Sequence, residues 1–360
     1  MAQNTDIQPA NGCDTVRALA GKRLLVVGAG GFIGGFIASR GLELGMDVTV
    51  AVRESTSRRY LSDPALRFLV LDYDNAATMK NQVADFVSEE GNPERWDYII
   101  YNLGATKALN YIDFKRVNHD YLRAFTETLR ELRLYPDRFL YMSSLSAIGP
   151  GDEKGYTPLS ADMTPDPNTR YGRSKIMAEQ FIEHFSGLNW TIFRPTGVYG
   201  PHEKDYLMMI QSIDRHFDFS VGFRRQMLTF IYVDDLVDAM FAALASPATL
   251  LRKYIIAEDR AYTQKEFRAI VARELGKGWV IPVKLPLWAV RATSAIAGKI
   301  GKMRMKPTTL NPDKYLIMAQ RNWCADTAPA QRDFGFKARV DLAEGIRRTV
   351  ESYRKSKKIG

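Results

Sequence analysis

The chain reads as an α/β protein, a doubly wound parallel sheet followed by a smaller C-terminal lobe of mixed elements. Three observations predict this. Short β-branched runs alternate with stretches of helical period through the first half, a glycine cluster marks the first strand-to-helix junction, and the rhythm breaks after Pro195.

Residues 22–27 form an apolar run that stops at glycines, 32–45 carry helical spacing, and 47–52 are again β-branched, which gives strand, helix, strand. The unit repeats as strand 68–71, helix 77–89, strand 96–102, helix 121–134, strand 138–143, helix 171–185 and strand 190–193. Such alternation implies parallel strands joined by right-handed crossovers. The later, shorter elements suit a lobe closing over the carboxyl ends of the strands, where open α/β sheets bind ligands. Residues 21–195 and 229–258 are therefore assigned to the sheet domain, and 196–228 and 259–352 to the substrate lobe. A polar leader over 1–20 and a basic tail over 353–360 complete the division.

With 360 residues, 46% hydrophobic and 25% charged, the composition is that of a globular chain with room for two cores. Cys13 and Cys324 lie far apart and form no C-x-x-C, so neither a disulfide framework nor a zinc site is indicated, and a reducing cytoplasm is expected. His119, His184, His202 and His216 show no metal-ligand spacing. The leader has no apolar stretch fit for a signal peptide, and no run reaches the roughly 18 to 20 apolar residues that span a bilayer. The net charge of +9 is uneven: Lys277, Lys284, Arg291, Lys299, Lys302, Arg304 and Lys306 lie in a segment without an acid.

After the first strand comes Gly28-Ala29-Gly30-Gly31-Phe32-Ile33-Gly34, a G-x-x-G-x-x-G spacing. Glycines there permit a tight turn and close approach of backbone to a pyrophosphate, while the helix N-terminus offers N–H donors. The strand-helix-strand context makes this a Rossmann-type dinucleotide site, with Gly28, Gly31, Phe32, Ile33 and Gly34 against the phosphates. Arg53 ends the second strand, with Arg58 beyond it, where a guanidinium would grip a ribose 2′-phosphate; NADP(H) is favoured. Glu54 beside Arg53 keeps NAD(H) open. Asp72, after the third strand, is placed to meet the adenine amino group or simply to make a turn.

Tyr171-Gly172-Arg173-Ser174-Lys175 sets a phenol and an ammonium one helical turn apart. A neighbouring cation stabilises phenolate, which otherwise forms only near pH 10. Upstream, a strand ends in Ser143-Ser144. Together with the glycine loop, these residues resemble the extended short-chain dehydrogenase/reductases, the NAD(P)-dependent epimerase/dehydratase and 3β-hydroxysteroid dehydrogenase group. The resemblance covers about residues 22–352 and includes Asn102-Leu103-Gly104-Ala105, Val117-Asn118, Arg194-Pro195-Thr196-Gly197-Val198-Tyr199-Gly200-Pro201 and Phe230-Ile231-Tyr232-Val233-Asp234-Asp235.

It implies Tyr171 as general acid/base, with Lys175 holding the nicotinamide ribose and lowering the phenol's pKa. Ser144 would hydrogen-bond the reacting oxygen, and Asn118 would support the lysine through a water relay. Ser144 is preferred to Ser143 or Ser146 because it stands five before Gly149, as in the family's pattern. Leu103, Gly104, Ala105 and Pro195 would line the cofactor, and a homodimer is expected.

Sugar-nucleotide members usually carry Asn in the Arg-Pro segment and Arg two residues before the Phe of the later motif. This chain has Gly197 and Leu228 there, with Arg224 and Arg225 close by as substitutes. Steroid- and lipid-acting members have an apolar region resembling the one around residues 287–302, where Arg291, Lys299 and Lys302 also share one helical arc. Residues 285–306 could meet an anionic membrane surface peripherally, or form a core-packed helix with a solvated basic face. Nucleic acid is not an expected partner, because the basic residues lack interleaved aromatics. The leading expectation is an NAD(P)(H)-dependent alcohol/ketone oxidoreductase for a small hydrophobic substrate. A nucleotide-sugar epimerase or dehydratase with retained cofactor, and a non-catalytic cofactor sensor, stand as alternatives.

Overall fold

The computed structural model describes residues 17–356 and 359. Of the expected leader only residues 17–20 fall within these, and Leu19 is fully buried in the core, so the packed chain reaches back ahead of residue 21.

In β1 (Arg23–Val27), Leu24 and Val26 enter one core while Leu25 and Val27 enter another, all fully buried. A period of two with both faces apolar is what a parallel sheet covered on both sides requires. β1 joins β2 (Asp47–Val52), β3 (Arg67–Val70), β4 (Tyr98–Tyr101), β5 (Arg138–Met142), β6 (Trp190–Pro195) and β11 (Arg252–Ile256) in a seven-stranded parallel sheet. Its order is β11-β6-β5-β4-β1-β2-β3, so the winding reverses between β1 and β4 and leaves a crevice beyond their carboxyl ends. Helices α1 (Phe32–Glu43) and α7 (Val233–Ala245) cover one face. The other is covered by α2 (Ala76–Ser88), α4 (Tyr121–Glu131) and α5 (Arg170–Glu183).

One helix starts earlier than its sequence pattern predicts. α3 (Tyr111–Lys115) passes through a π-helical turn, Arg116–Asp120, directly into α4. Its apolar signal is weak because Ile112 is exposed, and the turn buries a polar residue, Asn118.

In the second lobe, β7 (Gly197–Tyr199) pairs with β10 (Phe230–Tyr232), and β8 (Phe217–Val221) with β13 (Ile281–Leu285), both in parallel. β9 (Met227–Leu228) lies between β12 (Tyr262–Thr263) and β14 (Asn322–Trp323). A further core, including Tyr199, Phe230, Phe267 and Ile346, is closed by α6 (Lys204–Asp214), α8 (Gln264–Glu274) and α12 (Leu342–Lys355). α9 (Leu287–Met303) and α10 (Pro312–Ala319) pack on each other, while α11 (Ala328–Phe334) returns to the sheet at β11, with Ala330 in the same core as Leu24 and Val26. α12 runs past residue 352: Tyr353 is fully buried and its hydroxyl donates to the Glu203 carbonyl at 2.5 Å. The expected tail boundary thus falls inside a packed helix.

The sheet and the lobe meet at Glu258, just beyond β11, whose buried carboxylate accepts the Tyr262 hydroxyl. Burial pushes its pKa from 4.5 up to about 7. The folded chain therefore keeps a proton that the unfolded chain loses, so this group's contribution is most favourable below pH 4.5 and declines as pH rises to about 7. Glu258→Gln should raise the unfolding free energy by about 1–3 kcal/mol at pH 8 and by little at pH 4.5. Urea titrations at both pH values measure this; equal effects at the two would contradict it.

Candidate active site

β1 delivers its carboxyl end into the glycine loop. Gly28 has φ +84°, and a Cβ on it would stand 2.6 Å from the Leu103 backbone nitrogen. A Cβ on Gly34 would collide with the Gly28 carbonyl. Backbone therefore packs on backbone across the β1–β4 switch point, which only glycine permits. Gly31 caps α1 without a side-chain bond, leaving the first-turn amides of Phe32, Ile33 and Gly34 free of intrahelical acceptors. The cradle fits the pyrophosphate of a dinucleotide. Gly30, left unassigned by the spacing, has its own reason: the Thr56 methyl occupies the place of a Cβ.

Thr56 belongs to the turn after β2. Its hydroxyl accepts the Arg53 N–H at 3.0 Å and its N–H donates to the Arg53 carbonyl at 2.9 Å, leaving the Arg53 side chain exposed at the strand end. The Arg58 guanidinium lies 4.5 Å over the Phe68 ring of β3. Asp72 accepts the Asp74 N–H at 3.0 Å, a turn-forming bond that leaves the carboxylate on the surface. Pro195 ends β6, buried beside Ile256 of β11.

The chemical residues gather at the carboxyl ends of β4, β5 and β6. Beyond β5 the two serines diverge. Ser143 donates to the buried Glu179 carboxylate, whereas Ser144 caps the short helical turn Leu145–Ala147 near Tyr171, whose pKa it lowers. Tyr171 opens α5, and the buried Phe114 ring of α3 stands 6.0 Å from its own. Lys175, buried one turn on, donates to the Met142 carbonyl at 2.7 Å and lies 4.9 Å from the Tyr141 ring centroid. Burial sets both pKa values: it pushes Tyr171 up to about 12 against the lowering by Ser144, and Lys175 down to about 7 against the charge of Glu179. The lowering of the phenol comes from Ser144 rather than from the lysine, and desolvation outweighs it. At neutral pH the phenol holds its proton.

Asn118, in the π-helical turn, bonds directly to the loop after β4 and to α5. Its Oδ1 accepts the Ala105 N–H at 2.7 Å, and its Nδ2 donates to the Ala105 carbonyl at 3.1 Å and to Ser174 Oγ at 2.8 Å. It thereby clamps the loop after β4 to α5. A Cβ on Gly104, inside that loop, would stand 3.1 Å from both Asn118 Oδ1 and Lys175 Nζ, so Leu103-Gly104-Ala105 skirts the lysine closely.

Three further residues, Asp313, Glu179 and Arg194, position the site. Asp313, in the first turn of α10, accepts the Tyr171 N–H at 3.2 Å and Arg170 Nε at 2.9 Å, so the second lobe pins the start of α5. Glu179 pairs with Arg194, both fully buried, and Arg194 also donates to the Ala161 carbonyl at 2.8 Å. The i, i+4, i+8 spacing of Tyr171, Lys175 and Glu179 could have suggested this acid.

This fold and constellation define an enzyme of the short-chain dehydrogenase/reductase class of oxidoreductases. The chain belongs to the NAD dependent epimerase/dehydratase family, whose sequence model matches residues 24–257. It is similar to a ceramide reductase of Caulobacter vibrioides (23% identity; 72% of this chain, 74% of that protein). It is also similar to human short-chain dehydrogenase/reductase family 42E member 1 (28%; 68% of each chain). Among solved structures, UDP-glucose 4-epimerase of Thermus thermophilus in complex with NAD matches with TM-score 0.72 and 19% identity, covering 92% of this chain and 99% of that one.

Removing one member of the buried pair strands the other's charge. Glu179→Leu should cost about 3–5 kcal/mol in urea unfolding, and a second change, Arg194→Met, should recover most of it. A double variant no more stable than Glu179→Leu alone would show that the pair does not act as a unit.

Proposed function

We propose that this enzyme interconverts an alcohol and a ketone on a hydrophobic, steroid- or lipid-like substrate, with NADP(H) preferred and NAD(H) as the alternative cofactor. The observation that carries the reaction is the convergence of Ser144 on Tyr171, one helical turn before buried Lys175. Tyr171 holds a proton that it can give to a ketone oxygen, and in the opposite direction it takes the alcohol's proton. Ser144 orients that oxygen, and the Lys175 ammonium favours the phenolate when the proton has left. A bound nicotinamide dinucleotide would supply the hydride donor or acceptor, held by the glycine loop, Arg53, Arg58 and Asp72.

For the substrate class, Leu228 is partly buried against the lobe's apolar core and offers no charge to a pyrophosphate. At position 197 the Tyr206 hydroxyl takes up the space of a side chain, so an asparagine there would have to displace it. The similarity to a ceramide reductase supports a lipid-like substrate. The match to a UDP-glucose 4-epimerase, with Arg224 and Arg225 exposed a few residues before Leu228, supports the second reading, a nucleotide-sugar epimerase with retained cofactor.

Thermal-shift titration with cofactor present should show stabilisation by sterols, sphingoid lipids or aryl ketones and not by UDP- or GDP-sugars, since a ligand stabilises the state it binds. Stabilisation by sugar nucleotides alone would overturn the substrate class. With the substrate so found, Tyr171→Phe should lower kcat by about 10²-fold or more at unchanged cofactor affinity. For the cofactor, equilibrium fluorescence titration should show NADPH bound more tightly than NADH, and Arg53→Ala should weaken NADPH by about tenfold or more while sparing NADH. Tighter binding of NADH by the parent enzyme would reverse the preference.

A further inference from the structure

The outer side of the second lobe is apolar and basic at once. Of the 17 residues of α9, only Val290, Ser294 and Gly301 are buried. Gly298 and Gly301 let this stripe settle on Pro312 and Thr308. On the exposed side, Ile296, Ile300 and Met303 project within about 60° of one another, and Arg291, Lys299 and Lys302 within about 80° alongside, given about 100° per residue. Trp288 is 75% exposed and Met303 85%.

The strands before α9 extend the surface. In register, Phe217 pairs with Ile281 and Phe219 with Val283, so alternation puts all four on one face of the β8–β13 pair. Phe217, Phe219 and Ile281 are exposed there. Gly222, just beyond β8, approaches the Leu287 side chain and joins this small sheet to α9.

The charge of the segment identifies its partner. Among the described residues, Lys277 pairs with Asp214, whereas Lys284, Arg291, Lys299, Lys302, Arg304 and Lys306 have no ion-pair partner. A second copy of the chain would bring like charges together, which opposes self-association through this face. Bulky apolar side chains among unpaired cations suit the boundary of an anionic bilayer, where the former enter the acyl region and the latter meet phosphates. Among the described residues no helix is long and apolar enough to cross a membrane.

We propose that the α9 face, with the adjoining β8–β13 strands, docks in the plane of an anionic lipid bilayer. This rests on exposure and charge, and does not require the substrate reading. The test is cosedimentation of the full chain with phosphatidylcholine vesicles, with and without phosphatidylglycerol, alongside tryptophan emission. The expected result is about tenfold or more tighter binding to anionic vesicles, weakened by salt, with a blue shift. Trp288→Glu with Met303→Glu, and separately Arg304→Glu with Lys306→Glu, should each lower that binding by about tenfold while circular dichroism stays unchanged. Absence of binding to anionic vesicles would overturn the proposal. So would binding that both folded variants retain, or a vesicle-indifferent dimer that Trp288→Glu converts to monomer by light scattering.

Discussion

The Glu179–Arg194 pair, from which water is fully excluded, fixes the frame of the active site. It ties α5 to β6, and through Ser143 and the Ala161 carbonyl it also reaches the end of β5 and the long loop beyond. Buried ion pairs add little net stability, because the cost of desolvating two charges roughly cancels their attraction. What this pair supplies is geometry. Glu179 sits four residues beyond Lys175 and eight beyond Tyr171, so fixing its side chain fixes the rotation of α5 about its axis. Both residues are then presented at the carboxyl ends of β4 and β5. Asp313 holds the other end of that helix at the Tyr171 amide.

Within this frame burial governs the electrostatics. Tyr171 at about 12 and Lys175 at about 7 are each displaced toward the neutral form. With each pKa unit worth about 1.4 kcal/mol, such shifts amount to several kcal/mol against charge in the site. The carboxylate of Glu179 offsets part of that penalty for the lysine.

The features legible in the sequence were those encoded by local period. β1, β2, β5 and β6 announce themselves as apolar runs, and the glycine spacing marks the turn between β1 and α1. The resemblance ordered the motifs along the chain and singled out Ser144, which the structure brings to Tyr171 while Ser143 turns to Glu179. Residues whose roles arise from contacts between distant segments gave no such signal. Thr56 explains Gly30 only once the turn after β2 folds back over the glycine loop. Asp313 lies 142 residues from the Tyr171 amide that it accepts. The start of α3 was masked by an exposed Ile112 and by a π-helical turn that buries Asn118.

The substrate lobe resists reading for a related reason. β9 has only two residues, and its neighbours come from β12 and β14, far along the chain, so no local pattern could show what Leu228 faces. Position 197 is subtler still. Its glycine reads in isolation as a lost side chain, yet the Tyr206 hydroxyl from α6 stands where that side chain would begin. The departure from the sugar-nucleotide pattern therefore involves two residues acting together, and restoring asparagine alone would force Tyr206 out of a buried cluster rather than rebuild a polar contact. The lobe has thus filled this position from within, with an aromatic side chain of its own.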